Sequence, residues 1–166
     1  MRLSSLAIVA LVLLLNPRSP IAYDYDPRIT SAMIVYLHIA KIEATTKTCG
    51  RADPENAPSY DKVYATYHDE IGPIVMKIGF LIGQEARFQG VGKDTLLDFV
   101  ESRVNIVAQE AERMAELDSI KFMDLCRNLP KAAAAKVGPF EPLAQRFPEE
   151  MNIIQRIEST GKLPRK

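Results

Sequence analysis

The densest run of chemically capable side chains is His68-Asp69-Glu70. A histidine beside two carboxylates could serve proton transfer or bind a metal. Consecutive residues on a helix point about 100° apart, however, so the three cannot converge on one ion. A site there needs ligands from another helix, and His38 is the one further histidine. No HExxH is present and no spaced Cys/His set. Glu101, Glu110, Glu112 and Glu116 include one pair a helical turn apart. Glycoside cleavage requires two carboxyls about 5–10 Å apart across a cleft. Arg113 stands among these four, which reads as a solvated helix face. GxSxG, P-loop, GxGxxG and CxxCH signatures are all missing. The sequence therefore gives no catalytic, cofactor-binding or metal-ligating residues.

Tyr60, Tyr64 and Tyr67 recur at helical spacing on one face. Tyrosine joins apolar area to a polar tip, so the three form a candidate partner-binding ledge. The competing reading makes them core residues at a bundle edge. A pocket joining two or more of His38, His68, Asp69 and Glu85 favours an enzyme. A flat exposed Tyr or Leu patch favours a binding protein.

Cys49 and Cys126 are the only cysteines, 77 positions apart. Their meaning depends on compartment, and the N-terminus supplies one. Arg2 precedes an unbroken apolar run, Leu6 to Leu15, broken by Asn16, Pro17 and Pro20. That is the three-part form of a secretory signal, with cleavage expected after Ala22. Ten apolar residues are too few to span a bilayer, which needs about 20. The expected organisation is a signal peptide at 1–22 and a single domain at 23–166. No stable membrane insertion is expected after cleavage. In an oxidising compartment the two cysteines read as a disulfide. Closing so long a loop contributes roughly 4.5 kcal/mol in the chain-entropy model.

Of the 166 residues, 47% are hydrophobic and 25% charged, values of a globular chain. The 21 basic residues match the 21 acidic ones. Signal removal takes Arg2 and Arg18 and leaves a slight acidic excess. Neither state suits nucleic acid.

The elements that must position these residues are helical, because no alternating β-branched run is present. Ile29, Met33, Tyr36, Leu37, Ala40 and Ala44 predict a first helix from Ile29 to about Thr48, stopped by Gly50. The stretch 51–59 reads as a loop, and Ser59 as the next N-cap. Gly72-Pro73 is expected to interrupt or end that second helix. Ile74 to Gly83 then reads as a central helix, with Gly79 and Gly83 leaving a notch for a neighbouring backbone. After a break at Gln89–Gly92, the longest helix opens at Lys93 or Asp94. Its apolar stripe includes Val100, Val104, Ala111 and Met114. A later stripe of Phe122, Leu125, Cys126 and Leu129 ends at Pro130. A last helix fits Glu149 to Thr160, before a frayed tail.

The fold class expected is all-α: a small helical bundle of about five or six helices, stapled by one disulfide. The size, signal and cysteine count are similar to those of small exported helical proteins such as periplasmic immunity proteins and inhibitors. They point to a periplasmic or secreted protein that binds another protein, in an inhibitor, immunity or chaperone-like role. An envelope enzyme assembled only in the fold and a structural envelope component are the alternatives.

Overall fold

The computed structural model describes residues 27–88 and 93–156. The Leu6–Leu15 run, the cut after Ala22, the Gln89–Gly92 break and the C-terminal tail lie outside them. The described chain forms six α-helices: α1 (Pro27–Ala52), α2 (Ala57–Phe88), α3 (Lys93–Leu117), α4 (Ser119–Ala135), α5 (Leu143–Arg146) and α6 (Pro148–Gln155). Two 3₁₀ turns, Pro54–Asn56 and Gly138–Phe140, join α1 to α2 and α4 to α5. The bundle is all-α, and one disulfide joins two of its helices.

The central helix is α1, rather than the 74–83 segment. Ile29, Ala32, Met33, Val35, Ile39, Ala40, Ile42, Thr45, Thr46 and Cys49 are buried, over more than half of the helix circumference, while Thr30, Ile34 and Lys41 stay exposed on one narrow strip. It packs against α2, α3, α4 and α6. So wide a buried face needs several neighbours to cover it. Thr46 is buried with them, and its hydroxyl donates back to the Ile42 carbonyl at 3.0 Å. Thr45 does the same to Lys41 at 2.8 Å. The helix thus satisfies its own buried hydroxyls.

Three expected breaks are absent. Gly50 lies inside α1, where an added Cβ would stand 3.6 Å from that of Ala57. The loop shrinks to Asp53 and one 3₁₀ turn, so Ser59 falls within α2 instead of capping it. Helix α2 runs unbroken through Pro73 and is the longest at 32 residues. Helix α4 likewise continues through Pro130 to Ala135. A proline inside a helix costs about 3 kcal/mol. Here buried residues flank each one, Ile71 and Ile78 around Pro73 and Cys126 and Leu129 before Pro130, and their packing offsets that cost. The 74–83 segment is amphipathic: Ile78, Leu81 and Ile82 are buried, while Met76 is 71% exposed. Gly79 and Gly83 meet no neighbouring atom within 4 Å of an added Cβ, so there is no notch.

Helix α3 ends at Leu117 and the chain restarts as α4 at Ser119. Asp118 caps α4 through its side chain, accepting from the Lys121 N–H at 3.1 Å. Helix α4 ends with Lys136 in the left-handed region at φ 52°. Helix α6 begins at Pro148, one residue before expectation.

Cys49 and Cys126 are bridged, with both residues wholly buried and Cα atoms 5.5 Å apart. The bond ties the last turns of α1 to the middle of α4. We expect Cys126→Ser to lower the melting temperature by more than about 8 °C, from a loss of roughly 2–5 kcal/mol. Thermal denaturation followed by circular dichroism measures it, and an unchanged midpoint contradicts a structural role.

Candidate functional site

The polar residues singled out by the sequence do not assemble. His68, Asp69 and Glu70 are all exposed on α2. The His68 ring lies against Tyr64, centroids 5.8 Å apart. Both Glu70 carboxylate oxygens accept from the Lys136 ammonium at 3.0 Å. His38 is engaged elsewhere, its Nε2 standing 2.9 Å from the Pro139 carbonyl oxygen. A carbonyl only accepts, so Nε2 carries the proton. The ring also meets Phe147 edge-on at 5.0 Å. The side chain of Glu85 lies outside the described residues. On α3, Glu101, Glu110, Glu112 and Glu116 are exposed, and Glu112 pairs with Arg51 of α1 at 2.7 Å. No group of three or more His, Cys, Asp or Glu with metal-binding geometry occurs among the described residues.

The tyrosine face turns inward. Tyr60 and Tyr67 are buried and Tyr64 is half-buried, so the three line the bundle rather than forming an exposed ledge. Their hydroxyls meet different fates. Tyr60 donates to Asp53 Oδ2 at 2.9 Å, and Asn56 donates to the same carboxylate at 3.0 Å. Together they clamp the turn between α1 and α2. Burial and the nearby Glu43 carboxylate push the Tyr64 hydroxyl well above the usual tyrosine range. Tyr67 has no partner: its hydroxyl oxygen is buried and makes no hydrogen bond. Burial pushes this hydroxyl up to about 12. An orphaned buried hydroxyl costs roughly 1–3 kcal/mol.

Tyr67 also lines a groove of about 360 Å³ between α2 and α4. Val63, Pro130, Ala133, Ala134 and Phe140 complete its apolar lining. Ser59, Lys62 and Thr66 stand along the α2 side, and the Glu70–Lys136 pair reaches across. The sequence concealed this groove, because it exists only if α4 continues past Pro130.

A second surface lies at the corner between α3 and α4. Leu117 is 74% exposed and Ile120 is 76% exposed. Met114 and Leu125, expected on buried stripes, are each 41% exposed. One turn of α3 separates Met114 from Leu117, and Ile120 opens α4 just beyond the Asp118 cap. Leu117 and Ile120 lie off the apolar stripes read from the sequence, and that was the available signal.

Two consequences are measurable. Tyr60→Phe removes the donor to Asp53, and we expect a melting temperature about 2–4 °C lower. At His38, burial, with Arg146 and Lys41 adding like charge, holds the imidazole below 6.5 despite the bond to Pro139. From 6.5 down to that lowered value the unfolded chain takes up a proton that the folded chain refuses. Stability therefore falls as pH drops through this window. Urea denaturation at pH 7.5 and 5.5 should show a smaller drop for His38→Gln than for the parent chain. Comparison with protein-family models, curated proteins and solved structures gives no match.

Proposed function

We propose that this is an exported helical protein that acts by binding a protein partner, and that the α3–α4 corner is its contact surface. The exposed apolar pair at Leu117 and Ile120 carries the reading. Solvated apolar side chains gathered at one place mark interaction surfaces. Met114, one turn before Leu117, adds to the apolar area. The corner is rigidly mounted: Asp118 caps α4, and the buried disulfide fixes α4 to α1 seven residues after the cap begins the helix. A preformed surface spends little ordering entropy on binding. An inhibitor, immunity factor or chaperone-like partner has these properties.

Export is supported by the N-terminal charge, apolar run and prolines, and by a disulfide, which persists in oxidising compartments. Among the described residues no helix is long and apolar enough to cross a membrane.

The test uses the chain beginning at Tyr23 as bait against cell-envelope extract, with a Leu117→Lys/Ile120→Lys double variant beside it. Both residues are exposed, so the variant should fold as the parent does. We expect the parent chain to retain a stoichiometric protein and the variant to bind it at least about tenfold more weakly. A partner held equally by both overturns the assignment of the corner, and no partner at all overturns the binding role. Intact-mass measurement of the natively produced protein should show the loss of residues through Ala22.

A further inference from the structure

We propose that the outer face of α2 between Gly72 and Gly83 is a self-association surface, on which two copies of the chain pair through antiparallel α2 helices. The face is separate from the α3–α4 corner. On its inner side Ile71, Ile78, Leu81 and Ile82 are buried in the bundle. The outer side carries no polar side chain. At three- and four-residue steps it presents Gly72, Pro73, Met76, Gly79, Phe80 and Gly83. Met76 is 71% exposed and Phe80 is 42% exposed. Lys77 is the single charge from Gly72 to Gly83. It lies to one side, its Nζ donating to the Gln155 carbonyl of α6 at 3.4 Å. A surface helix turns charges to water, and one that is apolar all round is covered all round. Among the described residues only the inner side of this segment is covered.

Charge and relief both name a second copy as the cover. A two-fold axis sets a face against itself, so a charged face meets its own sign. The outer side from Gly72 to Gly83 has no charge to repel. It also holds both halves of a fit. Met76 and Phe80 stand out from the helix, whereas Gly72, Gly79 and Gly83 leave it bare. A Cβ built on any of these three glycines meets nothing within 4 Å. In an antiparallel pair with Met76 opposite Gly79 of the second copy, Phe80 meets the hole bounded by Gly72, Val75, Met76 and Gly79. Met76 then meets the hole bounded by Met76, Gly79, Phe80 and Gly83. Two of the four corners of each hole are glycine, which lets the backbones approach closely. The strip is about 18 Å long at 1.5 Å per residue. That is toward the small end of specific interfaces, so the pair is weak, with a Kd on the order of 10–100 µM.

Sedimentation equilibrium on the chain beginning at Tyr23, from about 5 to 500 µM, reads the association. We expect the mass to rise from one chain to two across that range. Met76→Glu and Met76→Lys should each stay monomeric throughout, because the axis brings like charges together. An equimolar mixture of the two should dimerise at least about tenfold more tightly than either alone. This rescue also shows that both variants are folded. Gly79→Leu fills the hole and should abolish pairing. At about 5 µM, where both chains are monomers, it should melt about 2–4 °C higher than the parent, because leucine favours a helix over glycine and has open space there. Leu117→Lys should dimerise as the parent does. A parent that is monomeric at about 500 µM assigns the face to another protein or to the chain's own terminal residues, and overturns the proposal. A dimer that survives Met76→Glu, a mixture that fails to re-form it, or a dimer lost in Leu117→Lys overturns it as well.

Discussion

The burial of α1 over most of its circumference is the constraint from which the arrangement follows. A narrow apolar stripe can be covered by one neighbour, but the buried face of α1 runs from Met33 and Ala40 through Ile29 and Ile39 to Ile42 and Thr45. Four helices are needed to remove them from water, and α2, α3, α4 and α6 supply the cover. Each covering helix is amphipathic and turns its charges outward. This explains why the carboxylates of α3 and the His68-Asp69-Glu70 run reach solvent instead of one another. The driving force is the usual gain of roughly 25 cal/mol per Å² of apolar surface buried. The disulfide lies within this packing rather than beside it, since Cys49 and Cys126 are both core residues.

That constraint also decides where polar groups end up. Helix α1 carries Thr45 and Thr46 into the core, and each returns its hydroxyl to a carbonyl of its own helix, while the buried Thr48 hydroxyl accepts from Arg51. Tyr60 finds Asp53 at the α1–α2 turn. Tyr67 is drawn in by the same apolar face of α2, yet no acceptor reaches its hydroxyl. A protein interior leaves few polar groups in this condition, and those it does leave call for a functional account. The α3–α4 corner is the reverse case, with apolar side chains left in water. Stability argues for neither feature.

Surface ion pairs contribute little to holding these parts together. Arg51–Glu112 and Glu70–Lys136 are each about half exposed, and exposed pairs contribute at most about 1 kcal/mol. Their value is positional. The first registers α3 against the end of α1. The second links α2 to the left-handed residue that ends α4, across the mouth of the groove.

Much was legible in the sequence because it depends on local spacing. The helical period and the pairing of two lone cysteines follow from residue type and separation. The inward face of Tyr60 and Tyr67 was readable as one of two alternatives. The helix boundaries at Gly50, Pro73 and Pro130 were not, because local propensity opposes them and only packing by residues distant in sequence outweighs it. The choice of α1 as the buried centre was hidden for the same reason: coverage over most of a helix is a property of neighbours. The candidate site belonged wholly to the tertiary structure. A groove exists only between elements, and whether a hydroxyl has a partner is decided by atoms that the chain brings together from far apart.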